Sequence, residues 1–270
     1  MRKNWRHNAV GLKDEEPMDA QMNNSIKNIT SRITKFFGYT VVPNWQLDHY
    51  AQGEFLRRLF EYFHIDCVFD VGANEGQYGR FLRTQVGYHG LIISFEPIPE
   101  CAMILRVSAD KDGKWLVEEI ALGSEPGIAR FNIMAGKQFS SFLKPDNSRA
   151  QMFSEQNQLS REIKVQVDTL EKHVLRVASE HGCSSLYLKL DTQGFDLNVA
   201  RSAGSAINKF RALQTESSAI PIYEDMPGFS ESIREFQEMG FELSAIFPNN
   251  PDHFPRMIEF DCHMINGNLL

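Results

Sequence analysis

No stretch of this 270-residue chain approaches the roughly 18 uninterrupted apolar residues that a membrane helix requires. The N-terminus has no apolar core behind Arg2 and Lys3, so no secretory signal is read and residence in the cytoplasm is the expectation. Cysteine is scarce. Cys67, Cys101, Cys183 and Cys262 are scattered without a Cys-x-x-Cys pair, which speaks against a zinc knuckle and gives no disulfide framework. Three of the four sit in or beside apolar runs and read as buried free thiols. Basic residues are outnumbered, 28 Lys and Arg against 35 Asp and Glu, and the formal charge of −7 argues against a nucleic-acid partner, which would draw on clustered cations. No dense group of carboxylates or histidines marks a metal site, and none is assigned.

What is present suffices for one large α/β domain and a modest extension. From Met1 to about Asn28 the chain is polar, with Lys13-Asp14-Glu15-Glu16 and Gln21-Met22-Asn23-Asn24, and reads as a mobile arm. Ile26, Ile29, Ile33, Phe36 and Phe37 then recur at helical spacing, as do Phe55, Leu56, Leu59, Phe60 and Phe63. Core cover is the plainer role for these helices, a cap over a ligand pocket the functional one. The expected division is an arm and helical extension over 1–63 and an α/β domain over 64–270.

Past His64, apolar runs alternate with helical patterns, which implies a mainly parallel sheet with helices on both faces. The main strands are predicted at Cys67–Ala73, Gly90–Glu96, Trp115–Ala121, Ser185–Leu190, Ala212–Thr215, Glu242–Phe247 and Met257–Asn266. Helices are predicted at Glu75–Gln85, Pro99–Ala109, Thr169–Glu180, Leu197–Ala203 and Ser230–Met239. Ile128–Met134 reads as an inserted strand and Lys164–Val167 as a short one. Between them the loop Lys137–Gln158 has the length and polarity of a lid. Two consecutive strands at the end predict an antiparallel finish.

The most informative stretch is Asp70-Val71-Gly72-Ala73-Asn74-Glu75-Gly76, which follows Cys67-Val68-Phe69 and opens a helical segment. Such a strand, glycine turn and helix brings backbone N–H groups close to a ligand, because glycine has no Cβ to block the approach. The next apolar run, Leu91-Ile92-Ile93-Ser94-Phe95, ends in Glu96-Pro97, and an acid at the tip of the second strand is where a nucleotide-type ligand presents its ribose hydroxyls. Together they predict a bound nucleoside. Asn74 stands where a dinucleotide fingerprint has its second glycine, and the third glycine is misplaced. A ligand without a diphosphate fits better. S-adenosylmethionine, with a ribose, an adenine and an amino-acid end, is such a ligand.

Phe69-Asp70-Val71-Gly72-Ala73-Asn74-Glu75-Gly76, Phe95-Glu96-Pro97, Ala121-Leu122-Gly123, Ser140-Ser141-Phe142 and Leu188-Lys189-Leu190-Asp191-Thr192-Gln193-Gly194-Phe195-Asp196 resemble, in order, the successive motifs of FkbM-type S-adenosylmethionine-dependent methyltransferases. The resemblance implies a Rossmann-like methyltransferase fold, a mainly parallel seven-stranded sheet with the last strand pair reversed, and S-adenosyl-L-methionine as cofactor. It also implies an adenine place at Glu119-Ile120-Ala121, where Glu119 can equally be solvated. Ser141, with Ser140, resembles the family's paired serines near cofactor or acceptor.

Ligands in such folds bind beyond the carboxyl ends of the parallel strands. Asp70, Gly72, Ala73, Asn74 and Gly76 are expected around the methionine end, and Glu96, next to Pro97, is expected to accept from both ribose hydroxyls. Lys189 and Asp191 share one face of an apolar strand, where opposite charges are costly to bury unless paired or wetted by a cleft. A site is the reading preferred to a structural ion pair. Asp196 suits the first turn of the next helix. Glu216 ends the fifth strand, Tyr223-Glu224 lies just beyond, and His253 sits in the loop Pro248–Pro255.

Methyl transfer from a sulfonium asks for alignment and, with a hydroxyl acceptor, removal of one proton. Asp191 is the first choice for that proton, with Glu216 and His253 behind it and Lys189 orienting Asp191 or an acceptor oxygen. By the family analogy the acceptor is a small-molecule or glycan hydroxyl, on a sugar, polyketide or other metabolite. A nicotinamide-dependent oxidoreductase, a non-catalytic nucleoside-binding protein and a metal-dependent methyltransferase are the rival readings.

Overall fold

Strand β1 (Cys67–Val71) is buried at every position and lies in the middle of the sheet, as a near-continuous apolar run in a parallel sheet must. The computed structural model describes residues 36–39, 41–42, 47–148, 150–249 and 255–269. The chain falls into two units, Met1–Tyr50 and Ala51–Leu270. In the first, Phe36 and Phe37 are exposed and meet edge to face. The expected arm Met1–Asn28, with Ile26, Ile29 and Ile33, lies outside the described residues, as does His253. Among the described residues no helix is long and apolar enough to cross a membrane.

In the second unit, β2 (Leu91–Phe95), β3 (Trp115–Glu118), β7 (Leu186–Leu190), β8 (Phe210–Ser218), β9 (Phe241–Pro248) and β10 (Glu259–Asn266) join β1 in a seven-stranded sheet of order β3-β2-β1-β7-β8-β10-β9. The pairs from β3 to β8 are parallel, and β10 is antiparallel to both of its neighbours. The last two strands therefore sit in reversed spatial order. Helix α1 (Leu47–Phe63) precedes β1, and α2 (Gln77–Phe81), α3 (Pro99–Asp112), α4 (Leu170–His181), α5 (Asp196–Arg201) and α6 (Phe229–Glu238) follow strands. Leu170, Val174 and Val177 recur at helical spacing on α4 and are fully covered, with Phe69, Leu188, Leu190 and Phe210 in the same core. Leu56, Leu59 and Phe60 of α1 form a second core with Val68, Ile92, Tyr187 and Ala212, so this stretch covers the sheet.

Three expectations need correction. The strand expected over Trp115–Ala121 divides, because Glu96 N–H takes the Glu118 carbonyl and Pro97 beyond it has no N–H to continue the ladder. The chain then crosses into a second, three-stranded sheet of order β4-β6-β5, formed by β4 (Ala121–Leu122), β5 (Gly127–Met134) and β6 (Leu159–Asp168). The short strand at Lys164–Val167 is the buried end of β6, whose exposed first half, Ser160-Arg161-Glu162, carries no apolar alternation. The helix expected over Glu75–Gln85 starts at Gln77 and relaxes into a π-helical turn at Leu82–Val86 that ends on left-handed Gly87.

Candidate active site

Gly72 ends β1 with φ 77°, and a Cβ there would stand 1.9 Å from the Asp191 carbonyl oxygen. Only glycine combines that dihedral with that approach. The bend lets the N–H groups of Gly72 and Ala73 donate to the Phe95 carbonyl at 3.0 and 3.1 Å, tying β1 to the tip of β2. Asn74, itself left-handed at φ 48°, then turns its N–H onto Glu96 Oε2 at 2.7 Å. The other oxygen, Oε1, accepts the Ile98 N–H at 2.8 Å. Glu96 is 4% exposed. Burial pushes its carboxyl up to about 7, against the pull of the two backbone donors and of Lys189. Each oxygen keeps further acceptor capacity after its backbone bond.

These groups wall one end of a cavity of about 450 Å³, beyond the carboxyl ends of the strands. Gly72, Asn74, Glu96, Pro97, Ile120 and Ala121 line that end. Asp191, Thr192, Gln193, Glu216 and Glu259 line a second part of the cavity, which adjoins the first where the Asp191 backbone meets Gly72, and Phe139, Ser140, Met152 and Phe153 of the Lys137–Gln158 loop contribute a further wall. The Asn74 side-chain Oδ1 is buried and meets no hydrogen-bond partner among the described residues.

Behind the lining, on the opposite face from Val71 and Phe95, runs a buried polar ladder. Trp115 Nε1 donates to Ser94 Oγ at 2.9 Å, and Ser94 Oγ donates to Asp70 Oδ2 at 3.0 Å. Lys189 Nζ lies 3.2 Å from Asp70 Oδ1, 3.3 Å from Asp191 Oδ2 and 3.2 Å from the Gly72 carbonyl. Burial opposes the charge on Lys189, but Asp191 and Asp70 outweigh it and raise its pKa. Strand alternation explains why Asp70 and Lys189 do not line the cavity: they face away from Val71 and pair with each other in register.

Asp191 carries one carboxylate oxygen on Lys189 and the other on Gln193, whose Nε2 donates to Asp191 Oδ1 at 3.0 Å and to Glu216 Oε2 at 2.7 Å. Glu216 also accepts Asn249 Nδ2 at 3.2 Å. Burial first, then Glu259, Asp191, Asp261 and Asp196, pushes the Glu216 carboxyl well above the carboxylate range. Burial followed by Asp191 lifts Glu259 up to about 7. Asp196 lies beneath, buried, accepting from Thr192 N–H at 2.8 Å and Thr215 Oγ1 at 2.6 Å, and so shapes the turn that aims Asp191.

The remaining expected residues sit around this frame. The Ala73 carbonyl accepts the Gly76 N–H at 2.8 Å, and Gly76 packs against Leu105. Ser141 is buried and donates to the Gln193 carbonyl at 2.8 Å, while Ser140 reaches the cavity wall. Glu119 faces outward, paired with Arg106 at 2.7 Å, and its neighbours Ile120 and Ala121 take the lining. Gln193, Glu259 and the loop aromatics escaped the sequence reading. A glutamine beside a glycine has no charge signal, and Glu259 opens a strand after residues that carry none. Among the described residues no group of three or more His, Cys, Asp or Glu could hold a metal ion.

A mainly parallel sheet of this order, with its last strand pair reversed and its cavity at the strand ends, has the Rossmann-like methyltransferase fold. Residues 70–243 match the model of the methyltransferase FkbM domain, and the chain belongs to that family. No curated protein matches. Among solved structures, methyltransferase FkbM from Methylobacillus flagellatus KT is similar at 12% identity and a TM-score of 0.47, over 90% of this chain and 60% of that one. The O-methyltransferase from Bacillus cereus in complex with SAH is similar at 10% identity and a TM-score of 0.44, over 93% of each chain. Fibrillarin from Aeropyrum pernix, with natively bound S-adenosyl-L-methionine, is similar at 10% identity and a TM-score of 0.42, over 74% of this chain and 66% of that one.

Proposed function

We propose that this chain transfers the methyl group of S-adenosyl-L-methionine to a hydroxyl of a small-molecule or glycan acceptor. The observation that carries the reading is that one cavity is lined by two adjoining, chemically different sets of groups, called here its two ends. At one end a buried carboxylate, Glu96, is held by two backbone N–H groups and lies beside the orphaned Asn74 Oδ1. At the other, Asp191 rests on Lys189. The first end fits a ribose and an ammonium, which bring donors to acceptors that have capacity left. Ile120 and Ala121 supply an apolar edge for the adenine.

The bound cofactor supplies an electrophilic sulfonium methyl. Glu96 holds the ribose hydroxyls, and the backbone from Gly72 to Asn74 with the Asn74 amide receives the aminoacyl tail. Asp191 would accept the hydroxyl proton of the acceptor as the acceptor oxygen takes up the methyl group. Lys189 pairs with Asp191 and holds it at the cavity. Glu216, whose proton affinity is raised by burial and by the surrounding carboxylates, lines the cavity beside Asp191 and faces the acceptor.

Titration calorimetry with S-adenosylhomocysteine and with NAD separates this reading from an oxidoreductase: binding of the first and not the second is expected. Asp191→Asn is expected to abolish transfer from methyl-labelled S-adenosylmethionine to pools of hydroxylated metabolites while S-adenosylhomocysteine affinity stays within about threefold. Transfer that survives this substitution overturns the role of Asp191, and a chain that binds no adenosyl-sulfur compound overturns the whole reading.

A further inference from the structure

The acceptor end is organised by a residue with no charge. Gln193 sits at φ 53°, in the left-handed region, followed by Gly194 at φ 88°. Two such residues in succession turn the chain back on itself, so that the Gln193 side chain returns over Asp191. An amide has two N–H donors and one carbonyl acceptor. All are engaged. The two donors span from Asp191 Oδ1, at the end of β7, to Glu216 Oε2, on β8. On the carbonyl side, the buried Tyr223 hydroxyl lies 2.8 Å from Gln193 Oε1 and 2.7 Å from the Phe139 carbonyl, and shares its proton between them. The Gln193 backbone carbonyl is pinned by Ser141 Oγ. The opposite amide orientation would set a carbonyl oxygen against two carboxyl groups, so the surrounding contacts select this one.

We propose that Gln193 is a positioning residue, whose single amide couples the carboxyl groups of Asp191 and Glu216 into one acid–base unit at the acceptor end of the cavity, oriented from behind by Tyr223. The assignment of that end to the acceptor rests on the methyl-transfer reading; the bridge itself does not. A strained glutamine held at four points is more than a polar loop needs, and its donors favour the charged form of each acid. Glu216 faces Glu259 and Asp261 from β10, Asp191 past β7, Asp196 from α5 and Asn249 beyond β9, and Lys189 pairs with Asp191. Against so many acids, the Gln193 amide is the contact that joins Glu216 to the partner of Lys189.

The test is a carboxyl-carbon NMR titration of the full chain, with the two signals identified by their loss in Asp191→Asn and Glu216→Gln. Gln193→Gly suits the left-handed backbone and keeps the turn, so it removes the bridge without the strain. Both midpoints are expected to rise by about one pH unit, a tenfold gain in proton affinity, because donors to the charged forms are gone. Tyr223→Phe is expected to raise both by less. S-adenosylhomocysteine affinity, read by calorimetry, is expected to stay within about threefold in Gln193→Gly. A Gln193→Gly protein in which either midpoint stays within about 0.3 unit of its original value overturns the proposal. Failure of the unaltered chain to bind S-adenosylhomocysteine overturns the methyl-transfer reading and leaves the bridge standing.

Discussion

The two ends of the cavity each present a carboxyl group, Glu96 just past β2 and Glu216 within β8, which runs on to Ser218 rather than ending at Glu216 as expected, and they hold it by different means. Glu96 is gripped by the N–H groups of Asn74 and Ile98, which belong to the backbone and survive every substitution but proline. Glu216 is gripped by the side chains of Gln193 and Asn249, either of which one substitution removes. Glu96 feels the acid Asp70 against it and the cation Lys189 in its favour; Glu216 faces four acids. A backbone-built acceptor is suited to an invariant ligand, and a side-chain-built one can be retuned for different partners. The contrast places constancy at the β1–β2 edge and adaptability at the β8–β10 edge.

The severest way to break this contrast is Gly72→Ala. Its methyl group would meet the Asp191 carbonyl and thus strike both ends together, with φ 77° adding strain. A loss of about 3 kcal/mol or more in urea unfolding is expected, with S-adenosylhomocysteine binding abolished. Glu96→Gln is expected to act at one end alone. The amide cannot accept both backbone N–H groups and both ribose hydroxyls, and the loss of a charged acceptor is worth about tenfold to a hundredfold in S-adenosylhomocysteine affinity by calorimetry.

The next test sharpens the electrostatic side. Burial, then Asp191, raises the Glu259 carboxyl in the folded chain from 4.5 to about 7, so the native state holds this proton more tightly than the unfolded chain does. The resulting stability is complete below pH 4.5 and is lost as pH rises through about 7. Glu96, raised over the same interval, adds the same sign. The urea midpoint of the unliganded protein is therefore expected to fall between about pH 5 and pH 8, and Glu259→Gln to flatten that fall by about 1–3 kcal/mol. The smallest effect is expected from Glu119→Ala. Its ion pair with Arg106 is solvent-exposed, so unfolding is expected to shift by less than about 0.5 kcal/mol, with cofactor affinity unchanged.

The β1–β2 end was legible in the sequence because its parts are neighbours along the chain: an apolar run, a glycine turn, a second run and an acid. The motif at Leu188–Asp196 was legible for the same reason, and alternation placed Lys189 and Asp191 on one face. What the sequence hid depends on long-range pairing. Gln193 gains its role only where Glu216 and Tyr223 arrive from later in the chain. For Glu119-Ile120-Ala121 the sequence left open whether Glu119 meets a ligand or solvent, and the direction of the chain after β3 decides it: Ile120 and Ala121 turn inward and Glu119 pairs outside with Arg106. The second sheet was concealed because half of β6 is open to solvent and lacks apolar alternation.

The run of contacts from Trp115 through Ser94 and Asp70 to Lys189 crosses four adjacent strands, beginning at the sheet's edge and ending next to Asp191. An indole on the rim is thereby wired to a charge at the centre. Across evolutionary time such a lineage can drift freely at Arg106, yet a change at Trp115 must be answered by its dependants further in. Sites remote from any ligand would then show up as inherited constraints on chemistry, and a survey of natural variants confined to the cavity wall would overlook them.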